Sequence, residues 1–202
     1  MKLITEKCRL CSGEIEPVID FGKMPIANGF IDKKDLNNEY FFNLSAAYCV
    51  ECSLFQLIEM PDPKILFTAN YAYHSGESNS MQQHFKDISN LLINKYNLQK
   101  NHFCVEIGNN DGGIVEYLNN LGYFHLGIDP STNVYNISKN KGINVLNDYF
   151  SFESSEYIKN KYQKADFILA ANALAHIPNL QSVFSGIENL LTEKGIFITL
   201  CI

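Results

Sequence analysis

Four cysteines in the N-terminal region are spaced as metal ligands. Cys8 and Cys11 form the segment CRLC, and Cys49 and Cys52 form the segment CVEC. Two C-x-x-C turns let each pair of thiolates bind one side of a tetrahedral ion, which is the ligand set of structural zinc. The 37 residues between the pairs exceed the usual zinc-ribbon spacing, so four unrelated thiols or one redox pair are the alternatives. We predict a closed Zn²⁺ site that stabilises a domain with a small core.

A glycine-rich turn, VEIGNNDGG at residues 105–113, follows an apolar strand. Asn110 stands where the dinucleotide fingerprint requires glycine, and the Gly-Lys-Ser/Thr of a P-loop is absent, so neither motif applies. An acidic strand end before such a turn instead suits a positively charged ligand without a pyrophosphate, and S-adenosylmethionine fits that description. Glycine would allow close approach of its amino-acid part, and carboxylates would accept from its ammonium group. The predicted contacts are Glu106, Gly108, Asn110, Asp111 and Gly112.

Acidic residues also end the next two predicted strands. Asp129, in GIDPS, is expected to accept hydrogen bonds from ribose hydroxyls. Asp148, in NDYF, is placed to accept from an adenine amino group, with Tyr149 or Phe150 against the ring. Each residue alone could be a solvated turn residue, because Asp and Asn favour turns. Three acidic strand ends in this order nevertheless outline a nucleoside site, since parallel sheets bind ligands at the carboxyl ends of their strands.

The segment AANALAHIPN places Asn172 and His176 just beyond the fourth predicted strand, on the same side as the acidic residues. A histidine there can act as a general acid or base, or orient a substrate oxygen. A helix-capping or exposed histidine is the alternative. We predict that His176 is catalytic and that Asn172 contacts the cofactor.

The pattern of apolar residues predicts which elements position these side chains. Apolar strands alternate with amphipathic helices after residue 98, which is typical of an α/β fold with an open, mostly parallel sheet. Glycine and proline break the first 60 residues into short strands and turns. The predicted divisions are a zinc-binding domain at 1–60, an aromatic and serine-rich loop with a connecting helix at 61–98, and a cofactor-binding domain at 99–202.

Composition limits the classes of protein. Hydrophobic residues make up 46% and charged residues 19%, which is typical of a globular protein. The net charge of -6, without a long basic run, argues against nucleic-acid binding. The N-terminus has no secretory h-region, and no segment approaches the roughly 20 apolar residues of a membrane helix. We therefore expect a cytoplasmic protein with reduced cysteines, in which Cys104 and Cys201 are packing residues.

Taken together, these residues resemble the S-adenosylmethionine-dependent C-methyltransferases that act on nucleotide-linked 4-keto deoxysugars. The resemblance covers almost the whole chain and lies in CRLC with DFGKMPIANGF, CVECSLFQL, YAYHSGESNS, VEIGNNDGG, GIDPS and NALAHIPNL. It implies a Rossmann-like class I methyltransferase domain behind the zinc-binding domain, with S-adenosylmethionine and Zn²⁺ as cofactors. It also implies that a proton beside the sugar ketone is removed and that the resulting enolate is methylated.

The same resemblance assigns roles to the loop YAYHSGESNS, which in this family covers cofactor and substrate. It implies that His176 lies near the reacting carbon and that either Tyr71 or Tyr73 is the functional tyrosine, of which we choose Tyr73 as catalytic. It also implies that Tyr71, Ser75 and Ser78 are candidate cofactor contacts. Without the resemblance, the loop reads as a surface segment with half-buried tyrosines.

The chain departs from this family at its last segment, GIFITLCI. The family sheet has seven strands and is followed by a His/Glu motif with the proton-abstracting base and by a large C-terminal domain. We therefore expect a C-terminally incomplete sheet, whose unpaired edge favours self-association or a partner chain through the last strand. The alternatives to a sugar methyltransferase are a non-catalytic zinc-stapled module that pairs with another chain, and a methyltransferase for a non-sugar small molecule.

Overall fold

The computed structural model describes residues 3–27 and 29–200. Its internal contacts divide the chain into two units. The first consists of Met1–Phe67 together with Ile177–Gln181, and the second of Thr68–His176 together with Ser182–Ile202. The predicted boundaries lie after residues 60 and 98, and they leave the segment near residue 180 outside the first unit, which it joins in the structure.

The first unit is built from short antiparallel strands. Its elements are β1 (Leu3–Ile4), β2 (Ile15–Pro25), β3 (Phe41–Cys49), β4 (Phe55–Leu57), β5 (Glu59–Met60) and the short helix α1 (Pro63–Leu66). Strands β2, β3 and β4 form one sheet with β3 in the middle, and β1 pairs with β5. Among the described residues of the three-stranded sheet, the buried apolar side chains lie on the central strand and include Phe42, Ala46 and Ala47, while Met60 of β5 is buried outside that sheet. Such a small apolar core stabilises a fold weakly.

The second unit alternates strands and helices, as the apolar pattern predicts. Its elements are α2 (Asn79–Tyr96), β6 (Cys104–Ile107), α3 (Gly113–Asn120), β7 (His125–Ile128), α4 (Thr132–Asn140), β8 (Val145–Leu146), α5 (Phe152–Lys161), β9 (Ala165–Ala171), α6 (Leu180–Leu190) and β10 (Leu191–Leu200). Short 3-10 turns lie at Ser75–Glu77 and Leu174–His176. Among the described residues, no helix combines the length and the apolar character that a membrane span needs.

The second unit contains a five-stranded sheet in the order β10-β9-β6-β7-β8, and every neighbouring pair is parallel. From β6 the chain proceeds outward through β7 to β8, then returns to the other side of β6 for β9 and β10. The direction of strand addition therefore reverses between β6 and β9. In open α/β sheets, ligands bind at this reversal, outside the carboxyl ends of the strands.

The core of the second unit lies around β6, whose four residues are all buried. One apolar cluster joins the sheet to α2 and α3 through Leu92, Cys104, Ile114, Leu118 and Phe167. Burial of each such large apolar side chain stabilises the fold by about 1.5–3 kcal/mol. Cys104 is a packing residue, as predicted, whereas Cys201 lies outside the described residues.

The predicted fold class is confirmed: a small N-terminal unit of antiparallel strands precedes a Rossmann-like domain with a parallel sheet. Two strands differ from the expected lengths. The segment INVLN supplies only the two residues of β8. The last strand begins at Leu191, before the predicted GIFITLCI, and its register with β9 shifts between Leu191 and Ile196.

Candidate cofactor site and zinc centre

The four cysteines of the first unit lie together. Their Sγ atoms are all within 4.8 Å of one another. The Sγ atoms of Cys8 and Cys52 are 3.5 Å apart, and those of Cys11 and Cys49 are also 3.5 Å apart. Four thiolates at a Zn–S distance of about 2.3 Å in a tetrahedron have S–S separations of roughly 3.8 Å. The arrangement therefore fits one Zn²⁺ ion, with no coordination position left for a substrate.

Each cysteine pair sits in the same kind of backbone turn. Ser12 and Ser53 follow the second cysteine of each pair with φ of 64° and 61°. Their N–H groups donate to the carbonyl oxygens of Cys8 and Cys49, both at 2.9 Å. The Leu10 N–H also points at Cys8 Sγ at 3.4 Å. N–H groups aimed at sulfur favour the thiolate form that a metal requires.

Ile177–Gln181 completes the turn that carries the first cysteine pair. Gln181 Nε2 donates to the Leu10 carbonyl at 3.3 Å and to Ser12 Oγ at 2.9 Å. The Arg9 guanidinium donates to the Ile177 carbonyl at 3.0 Å. Sequence reasoning missed these contacts because nothing local links residues this far apart along the chain.

In the second unit, the glycine turn after β6 reaches the reversal point of the sheet. Gly108 has φ of 73°, and a Cβ added there would lie 2.7 Å from Ala173 Cβ. Only glycine fits this position without strain, because the turn passes so close to the segment after β9. Asn110 and Gly112 also have positive φ, at 53° and 141°. The turn brings the predicted contacts after β6 beside the chain that leads to His176.

The Glu106 side chain is hydrogen-bonded to the first turn of helix α3. Its side chain is 2% exposed, and Oε2 accepts the Val115 N–H at 2.8 Å. A Cβ added at Gly113 would lie 2.8 Å from Glu106 Oε1, so glycine makes room for the carboxyl. Burial raises the pKa of Glu106 to about 8. Glu106 thus serves the first turn of the helix, and its predicted contact with a cofactor ammonium group stays a prediction.

Residues 68–78, which we call the strap, contain the predicted Tyr71, Tyr73, Ser75 and Ser78. Ser75 Oγ and the Gly76 N–H both donate to Asp111 Oδ1, at 3.0 and 2.9 Å. Asn110 Oδ1 accepts the Ser75 N–H at 3.2 Å, and its Nδ2 donates to the Tyr73 carbonyl at 3.0 Å. The strap is therefore hydrogen-bonded to the glycine turn.

The side chains of the strap differ in exposure. Tyr73 is 50% exposed and Tyr71 is half-buried. Ser78 is exposed, and its Oγ lies 2.7 Å from Ser80 Oγ at the start of α2. The strap thus presents Tyr73 to solvent while its backbone is held by the glycine turn.

Asp129 lies at the end of β7 and is 8% exposed. Its Oδ1 accepts the Ser131 N–H at 2.9 Å, and its Oδ2 accepts the Asn110 N–H at 3.0 Å. Burial raises the pKa of Asp129. An ionised carboxylate accepts about four hydrogen bonds, so both oxygens keep capacity for ribose hydroxyls.

The remaining predicted residues lie at the ends of β8 and β9. Asp148 is exposed and accepts the Tyr149 N–H at 2.8 Å. Asn172 has φ of 54°, and its N–H donates to the Leu200 carbonyl at 2.7 Å. His176 is the last residue of the 3-10 turn after β9. The residue as a whole is exposed, but partial burial of its imidazole lowers the pKa of the ring.

Two polar residues at the ends of α4 were not foreseen from the sequence. Asn133 contacts the strap, and Lys141 follows the last turn of the helix. Lys141 Nζ donates to the Asp111 carbonyl and to Glu116 Oε2, both at 2.7 Å. An asparagine and a lysine on a short helix carry no local signal of such roles.

Comparison with known proteins identifies both units. Residues 8–67 match the family described as "Putative zinc binding domain", and residues 105–199 match the family described as "Methyltransferase domain". This chain joins a zinc-binding domain to a methyltransferase domain. The predicted recognition and the predicted cofactor classes, Zn²⁺ and S-adenosylmethionine, are confirmed at the level of these domains. Which residues of the methyltransferase domain contact the cofactor stays a prediction.

A curated relative extends over both domains. The chain is 28% identical over 194 residues to the C-methyltransferase NovU of Streptomyces niveus, covering 95% of this chain and 46% of NovU. The chain thus spans less than half the length of that relative.

Solved structures are similar to the chain only in part. An S-adenosylmethionine-dependent methyltransferase from Clostridium acetobutylicum is 22% identical with a TM-score of 0.47, covering 57% of this chain and 49% of that one. The PH0226 protein from Pyrococcus horikoshii is 17% identical with a TM-score of 0.49, covering 63% of this chain and 60% of that one. Both TM-scores are below 0.5, so neither structure bears on activity.

Proposed function

We propose that this chain is the cofactor-binding part of a C-methyltransferase that acts on a nucleotide-linked 4-keto deoxysugar through an enolate. The observation that carries the proposal is the similarity to the C-methyltransferase NovU over 95% of the chain. A shared methyltransferase domain alone would leave the zinc-binding domain outside the match. Similarity across both domains instead favours a reaction of the same type.

The residues at the sheet edge fit S-adenosylmethionine by their chemistry. Asp129 offers buried carboxylate oxygens to ribose hydroxyls, and Asp148 with the neighbouring Tyr149 offers an acceptor and a ring to an adenine. Gly108 keeps the turn after β6 free of a side chain, and we assign the buried Asp111 carboxylate to the ammonium group. When bound, this cofactor supplies a methyl group on a positively charged sulfur.

The proposed chemistry needs a group that accepts a proton from carbon. A ketone makes the neighbouring C–H acidic enough for a side-chain base, and a neutral imidazole is such a base. Desolvation lowers the pKa of His176, which keeps the ring neutral near pH 7. The resemblance places the family's base in a later His/Glu motif; within this chain, we assign the proton-accepting role to His176. We assign Tyr73 to the substrate oxygen, because its hydroxyl can donate to a developing negative charge.

Isothermal titration calorimetry with S-adenosylhomocysteine and S-adenosylmethionine tests the cofactor part. We expect one ligand per chain and at least about tenfold weaker binding in Asp129→Ala, since hydrogen bonds to a charged group contribute about 1.5–3 kcal/mol. Asp32→Ala is the matched control, because Asp32 is exposed in the zinc-binding domain. A folded protein that gives no heat with either ligand would contradict the proposal.

Deuterium exchange tests the sugar and the enolate. In D₂O, the chain should exchange the hydrogen beside the ketone of a bound nucleotide-linked 4-keto deoxysugar, as followed by proton NMR. His176→Ala should abolish this exchange, while S-adenosylhomocysteine binding stays unchanged. Saturated binding of the sugar without exchange would show that this chain does not form the enolate. Methylation of a ketone without a nucleotide, at equal efficiency, would instead favour a non-sugar substrate.

A further inference from the structure

Asn133, in the first turn of α4, pairs with the peptide group of Tyr71 in the strap. Its Oδ1 accepts the Tyr71 N–H at 3.2 Å, and its Nδ2 donates to the Tyr71 carbonyl at 2.7 Å. The carboxamide thus satisfies both backbone groups of one strap residue, as a neighbouring strand would. Only a side chain with a donor and an acceptor at this distance can make both bonds.

The second hydrogen of Nδ2 faces another strap side chain. Asn133 Nδ2 lies 3.4 Å from His74 Nε2, and His74 Nδ1 lies 3.0 Å from Glu77 Oε1. Glu77 accepts from Nδ1–H, which leaves Nε2 as the acceptor that faces Asn133. One asparagine therefore contacts the strap on both sides of Tyr73.

The strap contacts link Asn133 to the predicted cofactor residues. Beyond Tyr73, the strap continues to Ser75 and Gly76, which bind Asn110 and Asp111. The Asn110 N–H in turn donates to Asp129. Asn133 is four residues after Asp129, so the start of α4 connects the strap to the end of β7. A shift of the strap would therefore change the positions of Tyr73 and of the glycine turn together.

We propose that Asn133 is a positioning residue that sets the strap, and with it Tyr73, against the cofactor site. The role rests on the proposed function, because it assigns the strap to cofactor and substrate. Asn133 contacts neither reacting atom and acts through Tyr71 and His74. It differs in this from Asp129, which is assigned to touch the cofactor directly.

The first test measures amide hydrogen exchange by NMR in Asn133→Ala, without any ligand. The Tyr71 and Gly76 amides should exchange at least about fivefold faster, because the strap loses the hydrogen bonds that hold it closed. Amides of β6 and β7 should keep their protection. Asn136→Ala is the matched control, since Asn136 is exposed on the same helix. Unchanged exchange at Tyr71 and Gly76, or faster exchange throughout the sheet, would overturn the proposal.

The second test is S-adenosylhomocysteine binding by calorimetry. Asn133→Ala should bind about tenfold more weakly than the wild type, which corresponds to about 1.4 kcal/mol. Asn133→Asp places a second acceptor against the Tyr71 carbonyl, and this repulsion should loosen the strap and also speed exchange at Tyr71. This variant replaces the alanine variant if that one does not fold. Wild-type affinity in a variant with a loosened strap would overturn the positioning role. Failure of the wild type itself to bind would instead refute the proposed function, while the exchange result still decides whether Asn133 sets the strap.

Discussion

The first unit, which we now call the zinc-binding unit, and the second unit, which we call the methyltransferase unit, differ in how much apolar surface they bury. Every residue of β6 in the methyltransferase unit is buried, whereas most of β2 in the zinc-binding unit is exposed. Large apolar side chains of the zinc-binding unit lie on its surface, including Phe21, Phe30 and Phe55 at 55%, 86% and 61% exposure. We therefore expect burial of apolar surface to stabilise the methyltransferase unit, and metal binding by the four thiolates to stabilise the zinc-binding unit.

Metal removal should give the largest difference between the units. Chelation of zinc, or Cys49→Ala, should unfold the zinc-binding unit, because structural zinc contributes on the order of 10 kcal/mol. Hydrogen exchange should show that β2 and β3 lose protection while β6 and β9 keep theirs. Cys104→Ala is the control, since Cys104 lies in the other unit and its removal should leave the zinc content unchanged. Full protection of β3 in the metal-free protein would contradict the dependence of the zinc-binding unit on its metal.

A core truncation should produce the reverse pattern. Phe167 is 2% exposed and its ring lies 5.7 Å from that of Tyr96, so Phe167→Ala leaves a cavity in the methyltransferase unit. We expect the free energy of unfolding to fall by about 3–5 kcal/mol in chemical denaturation. Phe55→Ala, in the zinc-binding unit, should change it by less than about 0.5 kcal/mol. Equal losses in the two variants would show that exposed apolar residues also stabilise the chain.

A buried carboxyl should make the methyltransferase unit sensitive to alkaline pH. Burial raises the pKa of Glu106 from an ordinary value of 4.5 to about 8 in the folded state. Between these two pKa values, the folded state therefore holds a proton that the unfolded state releases. The resulting contribution to the free energy of unfolding is fully present below pH 4.5 and is lost as the pH rises through about 8. Denaturation of wild type and Glu106→Gln at pH 5 and pH 8 should show the steeper loss in the wild type. Parallel pH profiles would contradict a protonated Glu106.

The smallest expected effect concerns the glycine turn. Gly108→Ala places a Cβ 2.7 Å from Ala173 Cβ at a φ of 73° and should cost about 1–3 kcal/mol. Gly142→Ala has a similar φ of 78° but no atom within 4 Å, so it should cost only about 1 kcal/mol. Thermal unfolding of the two variants separates the close contact from the backbone strain. Equal melting temperatures would mean that Ala173 moves aside to accommodate the new Cβ at residue 108.

Local patterns were enough to predict the fold class and the meeting of the four cysteines. The C-x-x-C spacing is a property of single turns, and alternation of apolar strands with helices specifies a parallel sheet. The short β8 and the early start of β10 at Leu191 were missed because strand ends depend on neighbouring strands.

The contacts of the candidate site were less predictable than its members. The strand-end rule brings Asp129 and Asn110 to one edge, but nothing in the sequence pairs Asn133 with Tyr71. Likewise, nothing in the sequence indicates that Glu106, before the glycine turn, accepts a hydrogen bond from the start of α3. Such pairings depend on how distant segments pack, which apolar periodicity does not encode.

Ile177–Gln181 gives the zinc-binding unit a discontinuous chain. A gene fragment that ends at residue 67 would encode the four cysteines without the partners of Leu10 and Arg9. A fragment that starts at residue 68 would carry those five residues without the groups of Arg9, Leu10 and Ser12 that they bind. Recombination between relatives must therefore exchange two separate stretches at once to move this unit intact. That requirement ties the inheritance of the zinc-binding fold to that of the segment immediately after His176.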